Sequence, residues 1–122
     1  MTRKRILVIE DIEDNRRIVR DLLTSAGYEL IEATTGLEGV RMAAEHRPDL
    51  ILMDIQLPEL DGYEATRRIK ADPAGAAIPI VAVTSYALSG DEAKTREAGC
   101  DAYLAKPVSP RALLAKVREF IG

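Results

Sequence analysis

The sequence predicts an α/β fold, an open, doubly wound sheet of five parallel strands with helices on both faces. Three observations carry this. Five short apolar runs punctuate the 122 residues: "RILVI" (5–9), "YELIEA" (28–33), "LILM" (50–53), "PIVAVT" (79–84) and "AYLA" (102–105). The segments between them run to about a dozen residues or more, long enough for helical crossovers between parallel strands. The first, third and fourth runs are almost wholly apolar, as strands covered on both faces must be, whereas "YELIEA" alternates and suits an edge. That difference places the strands in the order 2-1-3-4-5 and makes strands one and three neighbours.

Each helix has a local warrant. After the first strand, Ile18, Val19, Leu22, Leu23 and Ala26 recur at helical spacing, and Gly27 follows as a stop. Glu13 and Asp14 fall in the first turn, where the positive end of the helix dipole favours acids. Thr35 with Glu38 reads as a capping box for a second helix bearing Leu37, Val40 and Ala44 on its apolar side. His46 lies near that helix's end, a favourable place for a base, and Pro48 bars continuation. After the third strand, Leu57-Pro58 holds the loop near the strand end, and Gly62 is expected to relieve backbone strain. The third helix, from about Tyr63 to Ala71, ends before Asp72-Pro73, because the residue before a proline avoids helical conformation. Ser89 with Glu92 reads as a second capping box, closed by Gly99. Ser109-Pro110 supplies a cap and a first-turn proline for the last helix, which carries Leu113, Leu114, Val117, Phe120 and Ile121.

Composition narrows the function. A chain of this length forms one domain, burying about 65–70% of its unfolded surface. The net charge is −3 with Lys and Arg dispersed, and four Tyr and one Phe are the only aromatics, so neither a basic patch nor a stacking platform invites nucleic acid. Cys100 is the sole cysteine, no secretory leader is visible, and no apolar run reaches the ~20 residues that span a bilayer. The expectation is a cytoplasmic protein without membrane attachment. Because the sequence stops at Gly122, just after the last helix, a single domain over 1–122 acting through a protein partner is expected.

In an open parallel sheet, ligands bind beyond the carboxyl ends of the strands at the switch point, here between strands one and three. Strand one ends in Glu10-Asp11, strand three in Met53-Asp54, strand four in Thr84-Ser85 and strand five in Lys106-Pro107. Three carboxylates crowded on one rim repel unless a cation joins them. An all-oxygen set with an incomplete protein shell suits Mg²⁺, while the single His46 and single Cys100 leave no zinc set. A carboxylate can also attack phosphorus, and phosphoryl transfer needs mainly positioning and charge neutralisation, which a metal, Lys106 and the Thr84 hydroxyl can supply.

The motifs "VIED", "DLILMDIQLPELDGYE", "IPIVAVTSYA" and "GCDAYLAKPVSP" resemble, in order and spacing over essentially the whole chain, the receiver domain of bacterial response regulators, CheY-like and of the stand-alone type. The resemblance implies a flavodoxin-like (βα)5 three-layer sandwich. It implies that Asp54 accepts a phosphoryl group from a histidine kinase or histidine phosphotransfer protein. Asp11 and Asp54 would ligate Mg²⁺ directly, with the backbone carbonyl of Gln56, and Glu10 would act through a water. Thr84 would be the switch hydroxyl, Lys106 would pair with the phosphate, and Tyr103 would be the rotating switch aromatic. The Lys106-Pro107 bond would be cis. Gln56 and Tyr86 would tune phosphate lifetime. Signalling would pass to a protein partner through the fourth helix, fifth strand and last helix, with phosphodonor docking at the first helix and the rim, and the protein would be a monomer or a phosphorylation-dependent dimer. Glu10 departs from the commoner Asp at its position.

Plainer readings exist residue by residue. Asp11 suits a helix cap, Thr84 an ordinary β-branched strand residue, Lys106 a surface lysine, Tyr103 simple packing and Cys100 a small buried hydrophobe. None explains why four strand ends converge on one rim. A phosphatase of the haloacid-dehalogenase type would need a second acid where Gln56 stands, and a flavin module would be repelled by "EDIED".

Overall fold

The computed structural model describes residues 3–85 and 91–122. The strands are β1 (Arg5–Ile9), β2 (Glu29–Ala33), β3 (Leu50–Asp54), β4 (Ile80–Thr84) and β5 (Ala102–Ala105), all parallel and ordered β2-β1-β3-β4-β5. The helices are α1 (Glu13–Ser25), α2 (Gly36–His46), α3 (Gly62–Ala71), a single turn α4 (Pro73–Ala76), α5 (Asp91–Ala98) and α6 (Pro110–Ile121).

Alternation along the strands divides the core into two layers, since successive side chains leave a strand on opposite faces. Leu7, Ile9, Ile51, Met53, Ile80 and Ala82 pack with Ala43 of α2 and with Ala65 and Ile69 of α3. Ile6, Val8, Leu50, Leu52 and Val81 pack with Leu23 of α1 and with Leu113 and Val117 of α6. Each fully buried Leu or Ile contributes about 1.5–3 kcal/mol of hydrophobic free energy, so the central strands anchor both layers. β2 is only partly buried, as its alternating sequence requires of an edge.

Local signals hold in most places. Ser109 Oγ accepts from Ala112 N at 3.0 Å, with Pro110 in the first turn of α6. Gly27 and Gly99 close α1 and α5 at φ 97° and 107°. Asp61, one residue before α3, caps it through Glu64 N at 2.9 Å. At α2 the box shifts by one: Thr35 Oγ1 accepts from Glu38 N, but Glu38 Oε1 accepts from Thr34 N at 2.7 Å rather than from Thr35. The second box, at Ser89, lies outside the described residues.

Three expectations are corrected. The apolar face of α2 is not Leu37, Val40 and Ala44, because Leu37 is 55% exposed and Ala44 is exposed too. Gly36, Gly39 and Ala43 face inward instead, with Val40 half-buried beside them. A Cβ on Gly39 would stand 2.8 Å from Ile9 Cγ1, so α2 approaches the sheet at a distance only small residues allow. Ile18 of α1 is 63% exposed, on the helix flank facing the rim, and Leu23 takes the buried position. Finally, Asp72-Pro73 stops α3 but also starts α4, with Asp72 Oδ1 accepting from Ala74 N at 3.0 Å.

Candidate functional site

Strand register brings the four ends together. Ile9 lies opposite Met53, Asp54 opposite Val83 and Thr84 opposite Ala105, so Glu10, Asp54, Thr84 and Lys106 share one rim. Glu10 N donates to Ala33 O at 3.0 Å and Lys106 N to Thr84 O at 2.8 Å, which extends the ladders one residue past the strands and fixes both side chains.

Asp54 is 3% exposed and Glu10 7%, while Thr84 is fully buried. Lys106 Nζ stands 3.0 Å from Asp54 Oδ1 and 3.7 Å from Glu10 Oε1. Gln56 N donates to the same Asp54 Oδ1 at 3.0 Å. The loop that carries Gln56 is held down at Gly62, whose N donates to Ile55 O at 3.0 Å. A Cβ there would strike the Asp54 carbonyl oxygen and come 2.6 Å from Ile55 Cα, so Gly62 serves close approach rather than strain relief. The left-handed residue in that loop is Glu59, at φ 64°.

Ligand oxygens of Glu10, Asp11 and Asp54 all lie within 4.8 Å of one another. Burial pushes the Glu10 carboxyl above its ordinary range, and the adjacent Asp54 pushes it further, against Lys106 and Asn15. Asp11 is exposed at the mouth, yet it too is raised, first by partial loss of water and then by Glu10. One ammonium does not neutralise three carboxylates. The all-oxygen donor set, short of positive charge, fits a hard divalent cation, and the group can hold a metal ion.

The remaining predicted residues are placed as follows. Tyr103 is half-buried on β5, packed against the layer beneath α2 and α3, with its hydroxyl 3.5 Å from Glu92 Oε2. Gln56 Oε1 accepts from Ser85 N at 3.4 Å, so its side chain bridges the ends of β3 and β4. The Lys106-Pro107 bond is cis. Tyr86 lies outside the described residues. Asp11 is not a helix cap, since Ile12 holds the cap position of α1. Glu13 and Asp14 pair with Arg16, Arg17 and Arg20 instead of joining the acids on the rim. Cys100 is buried, 3.7 Å from Thr66 Oγ1.

Two residues escaped the sequence reading. Asn15 Nδ2 donates to Glu10 Oε1 at 3.0 Å, and Arg16 Nη1 donates to the Glu10 carbonyl at 2.8 Å. Polar residues in the first turn of a helix look like solvent-facing ones, and nothing in their spacing distinguishes them.

The family model of the response regulator receiver domain matches residues 6–118. The chain belongs to this family. Receivers are the phosphoacceptor components of two-component signalling, and they interact with histidine kinases or phosphotransfer proteins. The polar-differentiation response regulator DivK of Brucella anthropi is 45% identical over 119 residues, covering 98% of this chain and 97% of its own. The receiver domain of a sensor histidine kinase from Pseudomonas aeruginosa superposes with a TM-score of 0.92 at 40% identity, covering 99% of each chain. That structure has a magnesium ion coordinated in its active-site cleft. A co-crystal structure of a Saccharomyces cerevisiae histidine phosphotransfer protein with the receiver domain of its downstream response regulator matches at TM-score 0.88 and 32% identity, covering 97% of this chain and 88% of that one. No helix among the described residues of this receiver is long and apolar enough to cross a membrane.

Proposed function

We propose that this receiver takes a phosphoryl group onto Asp54 from the phosphohistidine of a kinase or phosphotransfer protein, with Mg²⁺, in the cytoplasm, and signals as a single-domain protein. The observation that carries this reading is the buried Asp54 carboxylate, held on one oxygen by Lys106 and Gln56 N–H in a rim with two further acids.

An Asp54 carboxylate oxygen forms the new bond to phosphorus as the P–N bond of the donor breaks, and that bond's electron pair returns to the imidazole. Lys106 keeps a fixed positive charge beside the reacting oxygen, needing no rearrangement as charge develops on the phosphoryl group. Bound Mg²⁺, held by Asp11, Asp54 and the Gln56 carbonyl with Glu10 acting through a water, would supply charge neutralisation on the phosphoryl oxygens. The chain's catalysis is confined to its own phosphorylation and dephosphorylation, with Gln56 and Tyr86 setting the lifetime of the acyl phosphate.

Thr84 is the switch hydroxyl at the end of β4, and Tyr103 relays the change to a surface of α5, β5 and α6. A downstream protein reads that surface by binding one of two conformations better. The donor docks beside Glu10 and Lys106, where Ile18, Val19, Pro107 and Val108 line a groove of about 390 Å³. The assignment of Asp54 is tested by intact-mass measurement after incubation with acetyl phosphate and Mg²⁺. Wild type should gain one phosphoryl group and Asp54→Asn none; an undiminished adduct on the variant would remove Asp54 from the role.

A further inference from the structure

We propose that Asn15 is a positioning residue for the metal site, holding the Glu10 carboxylate in the place from which it serves a bound cation. The inference deepens the Mg²⁺ reading above and rests on it.

Glu10 carries a longer side chain than aspartate, with an additional rotatable bond, and it faces the like charge of Asp54 from a nearly buried position. Left to itself, such a carboxylate would swing away from its neighbour toward water. The structure opposes that motion at both oxygens. Asn15 Nδ2 donates to Oε1 at 3.0 Å, and Ile12 N donates to Oε2 at 3.3 Å. Lys106 stands farther from Oε1, at 3.7 Å, and its shorter contact is to Asp54. The amide of Asn15 is therefore the nearest side-chain donor to Glu10.

Its chemistry suits the place. A neutral amide donates without adding charge, so it orients the acid and leaves the negative field of the rim for a cation. The amide also comes from a firm base. Asn15 sits in the first turn of α1, next to Arg16, which grips the Glu10 carbonyl. Arg20 of the same helix is fork-bonded to Glu32 of β2 at 2.7 and 2.8 Å. An acid held from a rigid element stays in working geometry before the ion arrives.

Isothermal titration of the full chain with MgCl₂, without phosphodonor, tests this. Asn15→Ala should weaken Mg²⁺ binding about tenfold, the lower end of the loss seen when an outer residue of a metal site is removed, because Glu10 itself acts through a water. Asn15→Asp, of equal size but repelling Glu10, should not restore it. In a Glu10→Ala background, where weaker binding persists through Asp11 and Asp54, Asn15→Ala should change nothing further. Thermal unfolding followed by circular dichroism should show both Asn15 variants folded, and the isosteric Asp variant serves if the Ala variant is not. Unchanged affinity in Asn15→Ala, or an equal loss in the Glu10→Ala background, overturns the role of Asn15 while the Mg²⁺ site stands. Absence of Mg²⁺ binding by wild type overturns both.

Discussion

Glu10 shows how much of the rim's character comes from one side chain. Its folded-state carboxyl is raised by burial and by Asp54, so the folded chain holds this proton more tightly than the unfolded chain. Stability from this group is greatest at low pH and falls as pH rises from the ordinary glutamate range, about 4.3, through the raised value. Glu10→Gln, which does not titrate, should lack that decline and be the more stable protein at neutral pH when divalent ions are chelated. Urea unfolding over a pH series in EDTA checks this; parallel curves for the two proteins would refute it. Asp11 acts with the same sign, while Glu13, lowered by Arg20 and Arg16, acts with the opposite sign in both proteins. The acids, Thr84 and Lys106 were legible because each ends a strand, and strand ends can be read from hydrophobic runs. Asn15 and Arg16 were not, because their partners depend on how α1 leans over the rim.

At the scale of elements, two glycines set distances that hydrophobic patterning does not show. A side chain at Gly62 meets backbone at Asp54 and Ile55, whereas one at Gly39 meets only side-chain atoms, the branches of Ile9, which yield more readily than backbone. Overpacking of this kind costs typically about 1–3 kcal/mol, so Gly62→Ala should lie at the upper end and Gly39→Ala at the lower. Urea midpoints give the order. Gly62→Ala should also slow phosphorylation by acetyl phosphate, since relief must come from moving the loop that carries Gln56, whereas Gly39→Ala should not. The caps at α6 and the stops at Gly27 and Gly99 were readable because they are local bonds between near neighbours. The inward face of α2 was not. An apolar Leu37 looks buried in sequence, but the close approach of the helix to Ile9 selects glycine and alanine for that side.

For the whole molecule, the exposed Ile18 tests the proposed docking of the donor. Ile18 is exposed beside the groove formed with Val19, Pro107 and Val108, and it takes no part in the layer that Leu23 fills. Ile18→Glu should leave the unfolding free energy within about 0.5 kcal/mol of wild type, as exposed substitutions do. It should also leave phosphorylation by acetyl phosphate unchanged, and lower the rate of transfer from a phosphorylated histidine phosphotransfer protein by tenfold or more. Equal loss with both donors would place the effect in the chemistry and remove the groove from docking.

The sequence by itself determined the alternation of strands and helices, the order of the sheet and the residues that end each strand, because these follow from periodicity, caps and the burial of inner strands. Only the tertiary structure decided which face of α2 meets the sheet, that Gly62 stands against Asp54, and that Asn15 and Arg16 hold Glu10. Those contacts lie between side chains or backbone of different elements, and their distances depend on how closely the layers pack, a quantity that no run of neighbouring residues records.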